Sequence, residues 1–401
     1  MKINFSPPFI DDDIIKEVVD TLNSGWITTG PKVRELENEI IKLTSCQHAL
    51  AVNSWTSGAI LVLKWFGVGP GDEVIVPAYT YSATALAVLH CGATPIMIDS
   101  LDDFTIDYSL LPNLINERTK VIIPVDFAGL MCNYDEINKI ILDKNINIFF
   151  KSNNVNQSKL GRLLILSDAA HSIGSTYKGR QSGSVADITI FSFHAVKNIT
   201  TAEGGIICLN LPISFNPTEI YNYMKMMTLN GQTKDAFSKS IAGSWKYDII
   251  FQGLKINMPD VCAAIGLAQI RKYSYLLKER KRVSEYYINY FKNFNHYILP
   301  IIEDINRTSC NHIFPLRIHN ISEHKRDQII EQMSKLEISV NVHFIPMPML
   351  TLFKNLGFDI NDYPVSYANY SNEISLPIYP QLTNVELLYI CENLESIYQN
   401  I

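Results

Sequence analysis

Across 401 residues the chain is 47% apolar and 18% charged, a composition that supports a large buried core and excludes disorder and collagen-like order. Its 34 Lys and Arg against 40 Asp and Glu leave a formal charge of -6, so no basic nucleic-acid face is expected. No apolar run reaches the ~20 residues of a membrane helix, and the start MKINFSPPFIDDD lacks the flanks of a signal peptide, so a cytoplasmic protein without a membrane partner is expected. The seven cysteines are widely spaced and never form CxxC; they read as reduced thiols, and no metal site is assigned.

Residues 10–43 read as helical at both ends, with a turn at SGWITTGP where Gly25, Gly30 and Pro31 break the periodicity. That turn is either a packing corner or a ligand-facing loop. Short apolar runs typical of buried parallel strands follow, each read as succeeded by a helical stretch: HALAV before SWTSGAILVLKWF, DEVIVPA before SATALAVLH, then PIMID, KVIIPVDF, NIFF, RLLILSDAA and DITIFSF. Continuous β-branched runs mark strands covered on both faces, so the first 250 or so residues read as an α/β unit with a mainly parallel sheet. Ligands of such sheets lie beyond the carboxyl ends of the strands. KSNNVNQSKLGR at 151–162 lacks periodicity and reads as a surface excursion. After Pro259 the spacing predicts a long connector helix, and then a second unit that mixes helices with strands such as HIFPLRI and SVNVHF.

Four stretches carry chemistry. In FSFHAVKNITTAEGG, a buried strand delivers Ser192, His194 and Lys197 to a turn, and a desolvated ammonium loses its proton more readily, as Schiff-base chemistry requires. LLILSDAAHS ends a buried strand in Asp168 with His171 three residues on; a carboxylate there can hold a proton on a pyridine nitrogen, or simply cap the next helix. NSWTSGA places Ser54, Thr56 and Ser57 at a helix start, where they either bind phosphate or serve as an ordinary cap. GDEVIVPAYTYSATA offers Tyr79 and Tyr81 at a strand end, for ring stacking or for core and rim packing.

In order, SGWITTGPK, AVNSWTSGA, GDEVIVPAYTYSATA, SDAAHSIG, SFHAVKNITTAEGG and NMPDVCAAIGLAQI resemble the DegT/StrS family of pyridoxal phosphate-dependent sugar aminotransferases, over nearly the whole chain. The resemblance implies the aspartate aminotransferase fold, type I of the pyridoxal phosphate-dependent transferases. Residues 1–260 would form a large cofactor-binding α/β domain on a mainly parallel seven-stranded sheet. Residues 261–401 would form the connector helix and a smaller α+β domain. It further implies Lys197 as the Schiff-base lysine, Asp168 as partner of the pyridine nitrogen, His171 beside the ring and Tyr81 stacked on it. Thr56, Ser57 and Ser192 would be phosphate-binding hydroxyls. Asn257 would reach the cofactor phosphate of the neighbouring subunit in a homodimer with shared sites. Trp26, Thr28 and Lys32 of the SGWITTGPK loop, with His343, would face the substrate.

The implied reaction moves an amino group from L-glutamate to a nucleotide-linked keto-sugar, with Lys197 as anchor, base and acid. A lysine at the position where a dehydratase branch has histidine points to transamination. His171, where several carbon 3 enzymes carry glutamine, and the similarity of SGWITTGPK and SFHAVKNIT to carbon 4 enzymes point to carbon 4 of a 4-keto-6-deoxy sugar for a surface polysaccharide or glycan. Trp55 and Asp126 depart from the family pattern, which commonly has a small residue and a histidine there. The rival readings are an aminotransferase of a cyclitol or aminobenzoate type of substrate and a non-catalytic regulatory homologue.

Overall fold

The computed structural model describes residues 1–234 and 245–401. Its strands in chain order are β1 (His48–Val52), β2 (Glu73–Pro77), β3 (Thr94–Ile98), β4 (Thr119–Ile122), β5 (Leu164–Asp168), β6 (Thr176–Tyr177), β7 (Arg180–Gln181), β8 (Ile188–Ser192), β9 (Gly205–Leu209), β10 (Tyr297–Ile298), β11 (Arg307–Thr308), β12 (Phe314–Ile318) and β13 (Glu373–Leu376).

The seven-stranded sheet has the order β1-β9-β8-β5-β4-β2-β3. The pairs β2–β3, β2–β4, β4–β5 and β5–β8 are parallel; β9 runs antiparallel to both β1 and β8. Alternate residues divide between the two faces. Val52, Val76, Leu166, Ile190 and Ile207 pack under helices Trp55–Trp65 and Ala83–His90, while Ala51, Phe191, Ile206 and Cys208 pack under Pro31–Thr44 and Asp260–Ile270. Both faces are covered, which is why the strands read as unbroken apolar runs. The C-terminal ends of β1, β2, β5 and β8 share one edge, where the chain turns out at Ser54, Tyr79, Asp168 and Ser192.

Three predicted elements differ. NIFF at 147–150 is no strand: Asn147 ends a short helix, Lys144–Asn147, and the seventh place in the sheet belongs to β9. The periodicity of GIICL equals that of its neighbours, but its two leading glycines disguised it as a turn. Gly205 is there because β9 starts against the Ser54–Trp55 peptide; a Cβ would lie 2.8 Å from Ser54 C and Trp55 N. SVNVHF is not a ladder strand either. Only Asn341 pairs, with Ser375, before the chain leaves the sheet. The stretch 151–162 contains the helix Val155–Leu160 and is more than an excursion. Asn154 and Gln157 side-chain amides donate to the Phe66 carbonyl at 3.0 and 2.9 Å, and Asn156 donates to that of Trp65 at 2.8 Å. These side chains close the open end of helix Trp55–Trp65.

The connector is two helices, Asp260–Ile270 and Tyr273–Phe291. The latter packs with helix Asn384–Asn400 and the antiparallel sheet β10-β12-β13 around Phe314, Leu316, Ile374, Leu376 and Leu394, a core that also takes in Ile3 from the other end of the chain. All seven cysteines are free thiols. Among the described residues no helix is long and apolar enough to cross a membrane.

The SGWITTGP turn is tied to the NMPD segment by long-range polar contacts. Gly30, the residue before helix Pro31–Thr44, has no side chain to cap it, and Asp260 serves instead: Oδ1 accepts from Gly30 N at 2.7 Å and Val33 N at 3.0 Å, and Oδ2 from Lys32 N at 3.1 Å. Thr29 Oγ1 donates to the Met258 carbonyl at 2.6 Å and accepts from Asn257 Nδ2 at 2.6 Å. Asp260→Ala strands three amides of a buried helix start and should destabilise the protein by roughly 2–4 kcal/mol in urea titration; a loss below about 0.5 kcal/mol would deny the carboxylate this capping role.

Candidate active site

At the shared strand edge lies a cavity of about 490 Å³. Four strand ends supply its walls. Ser54, Trp55 and Thr56 follow β1; Thr80, Tyr81 and Thr84 follow β2; Asp168 and His171 come from β5, and Ser192 and Lys197 from β8. His312, His343 and Phe344 reach in from the C-terminal half, and Phe5 and Ser6 from the N-terminus.

Asp168 is 5% exposed. Thr84 Oγ1 donates to its Oδ2 at 2.8 Å, and Ala170 N to its Oδ1 at 3.2 Å. Burial raises the carboxyl to about 6, against the pull of those two bonds and of Lys197. A carboxylate has about four acceptor positions and the protein takes two, so room remains for a ligand N–H. Lys197 follows a turn closed by its own amide on the His194 carbonyl at 2.9 Å. Among the described residues its ammonium has no hydrogen bond or salt bridge, and burial lowers it to about 8. At that value roughly a tenth of the amine is neutral at pH 7, against less than about a thousandth for an ordinary lysine.

His171 is 6% exposed and its Nδ1 accepts from the Ala128 amide at 3.3 Å, which leaves hydrogen on Nε2 when the ring is neutral. Burial, with Lys197 and His343 nearby, lowers it well below its ordinary value. The two tyrosines divide. Tyr79 is fully buried, whereas Tyr81 is 64% exposed at the cavity rim, its ring 5.9 Å from that of Phe344. At the helix start, Ser54 is the ordinary cap, accepting from Ser57 N at 3.1 Å. The Ser57 hydroxyl accepts from Ser54 Oγ at 2.9 Å and does not line the cavity, while Thr56 does.

Of the sequence-singled residues, the structure gathers Thr56, Tyr81, Asp168, His171, Ser192, Lys197 and His343 around one cavity. Asn257 lies instead beside Thr29, Gly30 and Glu37 in a small separate crevice. Trp26, Thr28 and Lys32 stay with that turn: Trp26 Nε1 donates to the Thr29 carbonyl at 3.3 Å, the Thr28 carbonyl accepts from Asp260 N at 3.3 Å, and Lys32 pairs with Glu17. Sequence reasoning missed Thr84, His312 and Phe344. Thr84 looked like one more helix residue, and His312 sits at the head of an ordinary strand run with no motif around it.

The donor set is one unpaired amine, one half-satisfied carboxylate, flat rings at wall and rim, and hydroxyls at a helix N-terminus. That combination fits a pyridine aldehyde bearing a phosphate. The comparisons agree. Residues 8–154 and 156–395 match the DegT/DnrJ/EryC1/StrS aminotransferase family. The spore coat polysaccharide biosynthesis protein SpsC of Bacillus subtilis is 34% identical over 402 residues, covering 98% of this chain and 96% of the relative. The UDP-4-amino-4-deoxy-L-arabinose–oxoglutarate aminotransferase of Shewanella sediminis is 31% identical over 401 residues, covering 98% and 97%. The PMP form of Spr1654 from Streptococcus pneumoniae superposes with a TM-score of 0.96 at 44% identity over 100% of both chains, and the same protein is also solved in a PLP form. The fold is that of the pyridoxal phosphate-dependent sugar aminotransferases, pyridoxal phosphate is the cofactor, and the chain belongs to the DegT/DnrJ/EryC1/StrS aminotransferase family.

Proposed function

We propose that this aminotransferase moves the amino group of L-glutamate to the keto carbon of a nucleotide-linked 4-keto-6-deoxy sugar, in the cytoplasm, for a surface polysaccharide or glycan. The observation that carries the chemistry is the convergence of Lys197, Asp168, His171, Ser192, Thr56 and Tyr81 on one cavity. The sugar assignment leans on relatives named for a UDP-amino-arabinose aminotransferase and for polysaccharide biosynthesis.

Pyridoxal phosphate supplies the electron sink for carbon–hydrogen cleavage beside the amine. Lys197 would hold it covalently and, once displaced, take the α-proton of L-glutamate and return a proton to the sugar carbon. Asp168 would accept from the ring nitrogen and favour its protonated form. Ser192, Thr56 and the unpaired first-turn amides of helix Trp55–Trp65 would take the phosphate, with Ser57 bracing Ser54 from behind. Tyr81 and His171 would hold the ring from the cavity wall and rim, and His343, from the C-terminal domain at 261–401, would meet the sugar.

Asn257, Trp26, Thr28 and Lys32 lie together outside this chain's own cavity, and we assign them to the site of the second copy in a homodimer. Asn257→Ala should then weaken pyridoxal phosphate binding about tenfold in a dimer that still forms, the worth of one charge-assisted hydrogen bond. Unchanged affinity by titration removes Asn257 from the cofactor.

The substrate is tested on the holoenzyme by recording its absorption spectrum after L-glutamate and then after each of a panel of UDP-, GDP- and dTDP-linked keto-sugars, with a keto-cyclitol for comparison. Restoration of the starting spectrum by one 4-keto-6-deoxy sugar supports the proposal. Restoration only by the cyclitol overturns it.

A further inference from the structure

Glu373 opens β13 and is fully buried, yet the transamination chemistry leaves it unused. Both carboxyl oxygens are engaged. Ser375 Oγ donates to Oε1 at 2.5 Å, and the His343 amide donates to Oε2 at 3.1 Å. Ser375 Oγ also lies 2.8 Å from His343 Nδ1. The His343 carbonyl accepts from the Tyr79 hydroxyl at 2.5 Å, and the imidazole stacks on Phe5 with centroids 5.4 Å apart. His343 is thus held at its amide, its carbonyl and one ring nitrogen. Among the described residues Nε2 has no protein partner, and the residue lines the cavity.

A serine hydroxyl has one hydrogen to give. When Glu373 is ionised it takes that hydrogen, so His343 Nδ1 must donate to Ser375 Oγ and Nε2 is bare. When Glu373 carries a proton it donates to Oγ, the serine hydrogen goes to Nδ1, and the histidine hydrogen moves to Nε2. We propose that Glu373 and Ser375 are positioning residues that set the tautomer of His343, and so whether this histidine accepts from or donates to the acceptor sugar. The sugar half of that statement rests on the sugar-aminotransferase reading of the cavity.

Burial raises Glu373 to about 8, against the pull of Ser375, the His343 amide, Arg326 and Arg317. Burial and Lys197 hold His343 down to about 3, so the ring stays neutral while the carboxyl titrates. The other charged and titratable groups facing Glu373 do not change in that range. Arg317 on β12 and Arg326 on helix Glu323–Lys335, whose Nη1 donates to the Glu373 carbonyl at 3.0 Å, remain cations. Tyr79 is pushed well above its ordinary value by burial and stays neutral. In the free protein Lys197, lowered to about 8, titrates alongside Glu373 and faces His343; the cofactor would occupy that amine in the holoprotein, and the measurement is repeated in Lys197→Ala as a control.

The test is ¹⁵N-histidine NMR of the holoprotein from pH 6 to 10, with His343 assigned by its loss in His343→Gln. Hydrogen on Nε2 at low pH, passing to Nδ1 through about pH 8, is expected. In Glu373→Gln the amide nitrogen donates to Ser375 Oγ while the amide oxygen takes the His343 N–H, which should fix hydrogen on Nε2 at every pH. Ser375→Ala should abolish the pH response as well. A tautomer indifferent to pH and to Glu373→Gln overturns the relay. In kinetics, Glu373→Gln should match wild type in KM for the accepted keto-sugar below about pH 7, where both carry hydrogen on Nε2, and differ from it about tenfold above about pH 9, with the L-glutamate half-reaction unmoved at either pH; equal loss in both halves, or a KM difference as large at low pH as at high, overturns the positioning role. If wild-type protein turns over no keto-sugar of the panel while the tautomer still follows pH, the relay stands and the substrate reading alone is overturned.

Discussion

Lys197→Ala should leave a protein that binds pyridoxal phosphate only reversibly, with nothing fixed by borohydride and with turnover reduced by at least about 10⁴-fold. On the proposed assignment two roles would be lost at one atom, the covalent anchor and the proton carrier, and among the described residues no second lysine lines the cavity to replace it. The fold should be indifferent. The ammonium has no hydrogen bond or salt bridge among the described residues, and the turn that presents it is held by backbone, with Lys197 N on the His194 carbonyl and Thr201 N on the Phe193 carbonyl, both at 2.9 Å. Stability in urea within about 0.5 kcal/mol of wild type is therefore expected. In the wild-type apoprotein the reactive species is the neutral amine, and burial has lowered this group to about 8. Covalent capture of the cofactor should accelerate as pH rises and level off above about 8. A variant that still fixes cofactor after borohydride removes Lys197 from its assigned role.

The parts of this site that could be read from the chain are those that a strand end delivers directly. Asp168 and Ser192 are the last residues of β5 and β8, and Lys197 is one turn further, so a buried apolar run followed by a polar residue located all three. Thr84, His312 and Phe344 were not legible, because each arrives from a separate element and gains its meaning only from what it meets. Thr84 is an ordinary first-turn residue until its hydroxyl is seen 2.8 Å from Asp168. Strand β9 escaped for a related reason: glycine is the signal of a turn, but Gly205 is placed by the close passage of β9 against the Ser54–Trp55 peptide. SVNVHF has strand-like alternation, yet a side-chain carboxylate, Glu373, competes for the His343 amide that a ladder would need. Tertiary partners outweigh local pattern at these places, and they cluster where chemistry is done.

Asp168→Asn should cut turnover by about 10³-fold while the cofactor remains bound, a larger loss than any change in its affinity. The substitution preserves shape, and the amide oxygen can still accept from Thr84 Oγ1 or Ala170 N, so the helix start and the β5 terminus should survive. On the proposed assignment what would disappear is the negative charge that holds a proton on the ring nitrogen, and with it the stabilisation of electrons released when a carbon–hydrogen bond breaks. The pH dependence gives an independent check. The useful form of Asp168 is the ionised one, and in the free protein burial has raised the carboxyl to about 6, so cofactor capture should weaken as pH falls through about 6. A protonated ring beside it favours the carboxylate, so the acidic limb of turnover in the loaded enzyme should lie below the limb for capture. In Asp168→Asn that limb should be absent from both profiles, because the amide does not titrate. Turnover within threefold of wild type, or an unchanged acidic limb, would assign the ring nitrogen to another group, and the neighbouring buried carboxyl Asp126, also raised to about 6 by burial, would be the first to replace.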